Sequence, residues 1–190
     1  MDHHAKVLVS VDEAYRGAVR GLSLQVAEHD ARGQMQWRER RVDVTIPRGV
    51  RPGQYLRLRG QGGPGVGGAP AGDLYLEVEF APDGRYRVEG ADVYFTLPVS
   101  PWEAALGTTV MAATPEGMVE LRVPANSSAG RHLRLKGKGL PGHTPGDLYA
   151  VLSIALPPAD SAAAREAYRA MAAAFDFDPR AAADEARSTP

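Results

Sequence analysis

The chain has 190 residues, of which 44% are hydrophobic and 24% charged, and its formal net charge is −1. That much apolar material excludes disorder as the main state, and no apolar run approaches the roughly 18 residues a membrane helix needs. With no cysteine in the chain, disulfides, thiolate metal sites and thiol nucleophiles are excluded as well.

The first residues, Met1-Asp2-His3-His4, lack the basic-then-apolar pattern of a secretory signal. Together with the missing cysteines this fits a reducing compartment, and a cytoplasmic location is expected. Charge is evenly spread, with 11 basic and 10 acidic residues over 1–82, 7 and 7 over 83–158, and 4 and 6 over 159–190. No segment has the basic excess of a dedicated nucleic-acid binder. The 21 glycines and 15 prolines favour short strands and many turns.

In chain order, Ala5, Val7, Val9 and Val11 alternate with Lys6, Leu8 and Ser10, which predicts a strand. Residues 12–17 have acidic groups at their start and a glycine at their end, the pattern of a short helical turn. Alternation resumes over 21–26 and over 42–46, where Pro47 stops it. Leu56 and Leu58 then face one way, with Tyr55, Arg57 and Arg59 facing the other, and Leu74, Leu76, Val78 and Phe80 form a further run. One polar face per strand fits antiparallel sheets packed on one side. Several short strands in about 75 residues predict a small β-sandwich. After Pro157-Pro158, residues 161–175 are Ala-rich, and Ala164, Tyr168, Met171 and Phe175 fall on one helical stripe. Asp160 or Ser161 can cap that helix, and the tail beyond Pro179 is expected to fray.

The chain contains a duplication. Residues 44–64 match 121–141 at a constant offset of 77, with eight of 21 positions identical: Pro47/Pro124, Gly53/Gly130, Leu56/Leu133, Arg57/Arg134, Leu58/Leu135, Gly60/Gly137, Gly62/Gly139 and Pro64/Pro141. Gly72-Asp73-Leu74-Tyr75 recurs as Gly146-Asp147-Leu148-Tyr149. Val9-Ser10-x-x-Glu13-Ala14-x-x-Gly17 recurs as Val99-Ser100-x-x-Glu103-Ala104-x-x-Gly107. The expected architecture is mostly β: two tandem β-sandwich modules at 4–82 and 83–158, a C-terminal α-helix at 159–178 and a flexible tail at 179–190. The spacing from Glu13 to Pro47 is 34 residues and that from Glu103 to Pro124 is 21, so the first module carries a longer hairpin or loop around 28–35.

Catalytic and cofactor chemistry finds no support. Gly60, Gly62 and Gly65 fit G-x-G-x-x-G, as do Gly137, Gly139 and Gly142. A dinucleotide site needs a helix after that pattern, whereas here a turn and a strand are expected in both copies. His3, His4, His29, His132 and His143 form no compact ligand spacing, and Ser100, Ser127 and Ser128 lie in no nucleophile elbow. No metal, no cofactor and no enzyme activity are expected. Arg38, Arg40, Arg41, Arg48, Arg51, Arg57 and Arg59 form a basic stretch that could contact phosphates, but a solvated strand face accounts for it more simply. The expected chemistry is binding without reaction: an extended peptide adding to an open sheet edge.

The quoted segments resemble one family. Val9-Ser10-Val11-Asp12-Glu13-Ala14, Val44-Thr45-Ile46-Pro47, Leu56-x-Leu58-x-Gly60-x-Gly62 and Gly72-Asp73-Leu74-Tyr75 resemble the first C-terminal domain of DnaJ-type J-domain proteins. Leu97-Pro98-Val99-Ser100-Pro101-Trp102-Glu103-Ala104-Ala105-Leu106-Gly107, the 133–141 segment and Gly146-Asp147-Leu148-Tyr149 resemble the second. The resemblance covers about residues 3–180 and is strongest to the zinc-free, class B, curved-DNA-binding-protein-A type. Two departures matter. The His-Pro-Asp signature of the J domain and the Gly/Phe-rich linker are absent, so the chain looks like the client-binding half of a longer protein. The cysteine-rich zinc module is absent too.

The resemblance implies a co-chaperone that binds unfolded polypeptide clients in a shallow apolar groove for a DnaK-type chaperone, whose C-terminal peptide could also bind there. By motif register the groove maps to Ala5, Val7, Leu22, Leu24 and Leu76. The family's C-terminal dimer contact maps to Tyr168, Met171 and Phe175, so a homodimer is expected. No membrane partner is expected. The alternative is a nucleoid-type, non-specific DNA-binding module, with nucleoid association to match.

Overall fold

A computed structural model describes residues 1–29 and 31–181. The first module follows the order β1 (His3–Val9), α1 (Val11–Arg16), β2 (Ala18–His29), β3 (Met35–Ile46), β4 (Tyr55–Leu58) and β5 (Leu74–Phe80). A short strand β6 (Tyr86–Glu89) precedes the second copy: β7 (Asp92–Val99), α2 (Pro101–Leu106), β8 (Thr108–Thr114), β9 (Gly117–Val123), β10 (His132–Leu135) and β11 (Leu148–Ile154). The chain ends in α3 (Ala162–Ala174). The mostly β architecture with duplicated modules and a C-terminal helix is as the sequence predicts.

The repeated V-S-x-x-E-A-x-x-G motif is a helix start and stop. The Ser10 hydroxyl accepts from the Glu13 N–H at 3.1 Å, and the Glu13 carboxylate accepts from the Ser10 N–H at 3.0 Å. Ser100 and Glu103 form the same reciprocal cap on α2, at 3.2 and 2.8 Å. Such a pair satisfies two of the amide groups a helix leaves open at its start. The cap also explains why β1 stops at Val9. Val11, which continues the alternation in sequence, instead opens α1 and is buried there.

Each copy builds one sheet and one hairpin. β1, β5 and β4 form the first sheet in that order, and β2 pairs with β3. In the second copy the sheet runs β10-β11-β7-β6, and β8 pairs with β9. The expectation of purely antiparallel sheets is corrected here. β1 pairs with β5, and β7 with β11, in parallel. A helix and a hairpin separate the first and last strands of each copy, and a crossover of that length lets the chain return in the same direction.

The β2–β3 arms are 12 residues each, against seven for β8–β9. Five residues more in each arm and three more in the turn account for the whole difference in spacing between the copies.

The chain separates into two compact units, Met1–Ile154 and Ala155–Pro190. The first holds both repeats up to the end of β11. Val7, Val9, Val44, Ile46, Leu76 and Val78 of the first copy share one buried cluster with Val93, Phe95, Val123, Leu148 and Leu152 of the second. In the second unit α3 is capped by the Ser161 hydroxyl, which accepts from the Ala164 N–H at 3.0 Å. α3 has no buried residue. Residues 182–190 of the tail expected to fray lie outside the described residues.

Candidate functional site

The alternation that makes β1 a strand also divides its side chains. In register with β5, Ala5 lies beside Leu76 and Val7 beside Val78. Val7 is 2% exposed and Leu76 is 0% exposed. These two belong to the core and have no surface to offer a ligand, which narrows the five-residue groove expected from sequence. Ala5, Leu22 and Leu24 are half-buried and pack against that core.

Leu22 and Leu24 are half-buried, although Val26, the next residue on the same face of β2, is only 5% exposed. Along that face, β2 residues lie opposite Ile46, Val44, Val42, Arg40 and Arg38 in turn. The first three are buried and the last two are arginines, and Val26, which lies opposite Arg38, is buried apart from the main cluster. β1 is an edge strand of its sheet, with one side of its backbone unpaired by any strand among the described residues. Three cavities of about 320, 450 and 430 Å³ are lined by residues other than Ala5, Leu22 and Leu24.

Arg20 ties β2 to the β1 edge, a role absent from the sequence-based expectation. Its guanidinium donates to the Leu8 carbonyl of β1 and lies 3.2 Å from Glu13 Oε1 of α1. The signal was present: an arginine stands at an inward position between Ala18 and Leu22.

The repeated L-R-L-x-G and G-D-L-Y segments form one latch, built twice. Asp73 accepts from the Gly60 N–H at 2.8 Å and from Arg57 Nε at 2.6 Å, while its own N–H donates to Asp2 at 2.8 Å. Asp147 accepts from Gly137 at 2.8 Å and Arg134 at 2.7 Å, and its N–H donates to Asp92 at 2.8 Å. The amide N–H of Gly60, and then the Arg57 guanidinium, hold the Asp73 carboxyl below its usual range. Gly137 and then Arg134 do the same for Asp147.

A folded-state pKa below the unfolded value, about 3.9 for Asp, gives stability that is present above that value. The stability is lost as pH falls through the lower folded value. In Asp73→Asn with Asp147→Asn, the melting temperature is therefore expected to fall by several degrees at neutral pH. Its further decline between about pH 4 and pH 2 is expected to be shallower than in the parent chain. Thermal melts monitored by circular dichroism across that range check both.

Several of the remaining candidates have structural partners. No helix follows either glycine pattern: β4 leads to β5 and β10 to β11 through turns. Ser100 caps α2, and the Ser127 hydroxyl donates to the Pro124 carbonyl. His4 stacks on Tyr75, and His132 meets Tyr94 and Tyr149 edge-on. Among the described residues no group of three or more His, Cys, Asp or Glu could hold a metal ion. Five of the seven arginines of the basic stretch have intramolecular partners: Arg38 with Glu28, Arg40 with Gln61, Arg48 with Glu116, Arg51 with the Thr144 carbonyl and Arg57 with Asp73; Arg41 and Arg59 are exposed.

In the second unit, the Tyr168 hydroxyl donates to the Pro157 carbonyl, so this residue is already engaged within its own unit. Met171 and Phe175 are 47% and 64% exposed. Among the described residues no helix is long and apolar enough to cross a membrane.

Residues 3–157 match the family model of the DnaJ C terminal domain. Among curated relatives, a curved DNA-binding protein of Coxiella burnetii is 49% identical over 180 residues, covering 94% of this chain and 58% of the relative. One of Escherichia fergusonii is 42% identical over 183 residues, covering 94% and 60%, and one of Pseudomonas syringae is 40% identical over 183 residues, covering 95% and 58%. The chain thus spans somewhat under two thirds of the length of these relatives. With two capped repeats, paired aspartate latches and a match over most of its length, the chain belongs to the DnaJ C-terminal domain family, a family of co-chaperones.

Proposed function

We propose that this chain binds unfolded or extended polypeptide along Ala5, Leu22 and Leu24 beside the β1 edge, and that it holds such clients for a DnaK-type chaperone in the cytoplasm. The observation that supports this reading is the unpaired edge of β1, whose Leu8 carbonyl is reached by Arg20 of β2, the strand that carries the half-buried Leu22 and Leu24. Backbone groups of the edge supply hydrogen bonds to any extended chain, and the strip of Ala5, Leu22 and Leu24 accepts alternate apolar side chains. Neither feature demands a particular client sequence.

Fully burying one aliphatic side chain contributes about 1.5–3 kcal/mol, and ordering the client offsets part of that. Weak, fast-exchanging binding follows, which suits a protein that must release what it holds. The C-terminal peptide of the partner chaperone is a second extended ligand of the same kind. A homodimer through Met171 and Phe175 would place two strips on one particle and add avidity for a long client.

The names of the relatives mention DNA. The even charge of this chain and the intramolecular pairing of five of the seven arginines in its basic stretch argue against that use here. Salt separates the two readings. Affinity for a permanently unfolded polypeptide is expected to change less than about threefold between 50 and 500 mM salt. Phosphate contacts would lose orders of magnitude over that range. Isothermal titration with an unfolded client and with duplex DNA, at both salt concentrations, decides it. Binding to the DNA alone would overturn the proposal.

A further inference from the structure

Where the two copies differ at equivalent positions, the first copy carries a docking surface. Tyr15, Gly49 and Arg51 correspond in register to Ala105, Asn126 and Ser128. The second-copy residues are all exposed. The first-copy residues all meet the 138–144 loop of the second repeat.

Tyr15 is 3% exposed, and its hydroxyl donates to the Lys138 carbonyl at 2.9 Å. Arg51 Nη2 donates to the Thr144 carbonyl at 3.0 Å. Gly49 lies so close to the loop that a Cβ there would stand 2.0 Å from the Pro141 oxygen. Its φ of 81° also favours glycine, yet the equivalent turn holds Asn126 at φ 56°. Asn adopts that region more readily than other side chains, so at Gly49 the backbone already disfavours a side chain and the approach of Pro141 leaves no room for one. Burial also pushes the Tyr15 phenol well above its usual range, with Glu116 adding to the effect. The hydroxyl remains a donor at any working pH.

The docked helix also reaches the strip. Tyr15 and Glu13 share α1. Glu13 holds Arg20, and Arg20 holds the Leu8 carbonyl of the β1 edge, one inward position from Leu22. Arg48 fixes the same helix from the other side, donating from Nε to the Tyr15 carbonyl at 3.0 Å.

We propose that Tyr15, Gly49 and Arg51 form a latch that locks the two repeats together and, through Glu13 and Arg20, holds the β1 edge in its peptide-receiving position. These are positioning residues, since none of them lies on the strip. The part concerning the edge rests on the polypeptide-binding function proposed above, whereas the part concerning the repeats stands without it.

The cysteine-free chain allows the test. Arg59→Cys and Glu120→Cys, one exposed site in each repeat, carry spin labels for double electron–electron resonance. The labelled parent chain is expected to give a narrow distance distribution. Gly49→Ala is expected to broaden it, and Tyr15→Phe with Arg51→Ala, which introduces no clash, to broaden it less. A short unfolded peptide titrated well below the melting temperature is expected to bind these variants about three- to tenfold more weakly. A loss of stability alone would not change the affinity of the folded molecules.

Narrow, unshifted distances in both folded variants would overturn the latch, whatever the peptide does. Broadened distances with parental affinity would overturn its link to the edge. Leu22→Ser with Leu24→Ser serves as the control. It is expected to lose peptide and keep the narrow distances, so failure of the strip and failure of the latch are distinguishable. If Gly49→Ala does not fold, the double variant decides alone.

Discussion

Replacing Leu22 and Leu24 together by serine is expected to weaken binding of an unfolded client by at least about tenfold while the fold survives. The factor corresponds to about 1.4 kcal/mol, less than the burial of one full aliphatic side chain is worth. It is modest because both leucines are already half-buried, so a client covers only what remains exposed. For the same reason stability is expected to fall by only about 1–2 kcal/mol for the pair. Leu76→Ala provides the contrast. That side chain is 0% exposed, and truncating it leaves a cavity that costs about 2–5 kcal/mol. Any loss of binding in Leu76→Ala would then track unfolded protein and disappear below its lowered melting temperature. Titration of folded Leu22→Ser/Leu24→Ser with a reduced, unfolded client checks the expectation, and parental affinity would remove the strip from the site.

Met171→Asp with Phe175→Asp is expected to convert a dimer to monomers, with the mass by light scattering falling from twice 20.3 kDa to 20.3 kDa. A twofold interface presents the same patch from both copies, so four apolar side chains would leave the contact and four carboxylates would enter it. With each buried side chain contributing about 1.5–3 kcal/mol, dimer affinity is expected to drop by at least about a hundredfold. The fold should be untouched, since α3 has no buried residue. Tyr168 differs because its hydroxyl already serves the Pro157 carbonyl; its truncation would disturb the unit itself and is a poor probe. A parent chain that remains monomeric at high concentration would overturn the dimer.

Local patterns were legible in the sequence because they depend on neighbours along the chain. Serine three residues before glutamate specifies a helix start wherever it occurs, and the structure shows the reciprocal cap at both Ser10 and Ser100. Alternation located the strands of the first copy, and the duplication located the second copy from the first, while β6, which has no counterpart in the first copy, was not read. The unequal spacing from Glu13 to Pro47 and from Glu103 to Pro124 foretold a longer hairpin in the first copy. The two aspartate latches were visible as repeated letters, although their purpose was not, because each joins residues from separate segments.

Alternation states that a side chain points inward, but not whether anything lies above it. Ala5, Val7, Leu22, Leu24 and Leu76 therefore looked alike in sequence. Only the tertiary structure sealed Val7 and Leu76 in the core and left the other three half-buried, because exposure depends on what packs over each position; Val26, farther along the same hairpin, is covered again. The parallel pairing of β1 with β5 was hidden for a related reason: strand direction is set by the path of the intervening chain, not by the strand's own residues. Tyr15, Gly49 and Arg51 carry no local signature, since the atoms they meet lie about 90 or more residues away. The sequence by itself determined which segments become helices and strands and that they come twice. Which apolar residues stay reachable, and which residues bind one repeat to the other, was decided by long-range packing, where contact depends on what the fold brings overhead.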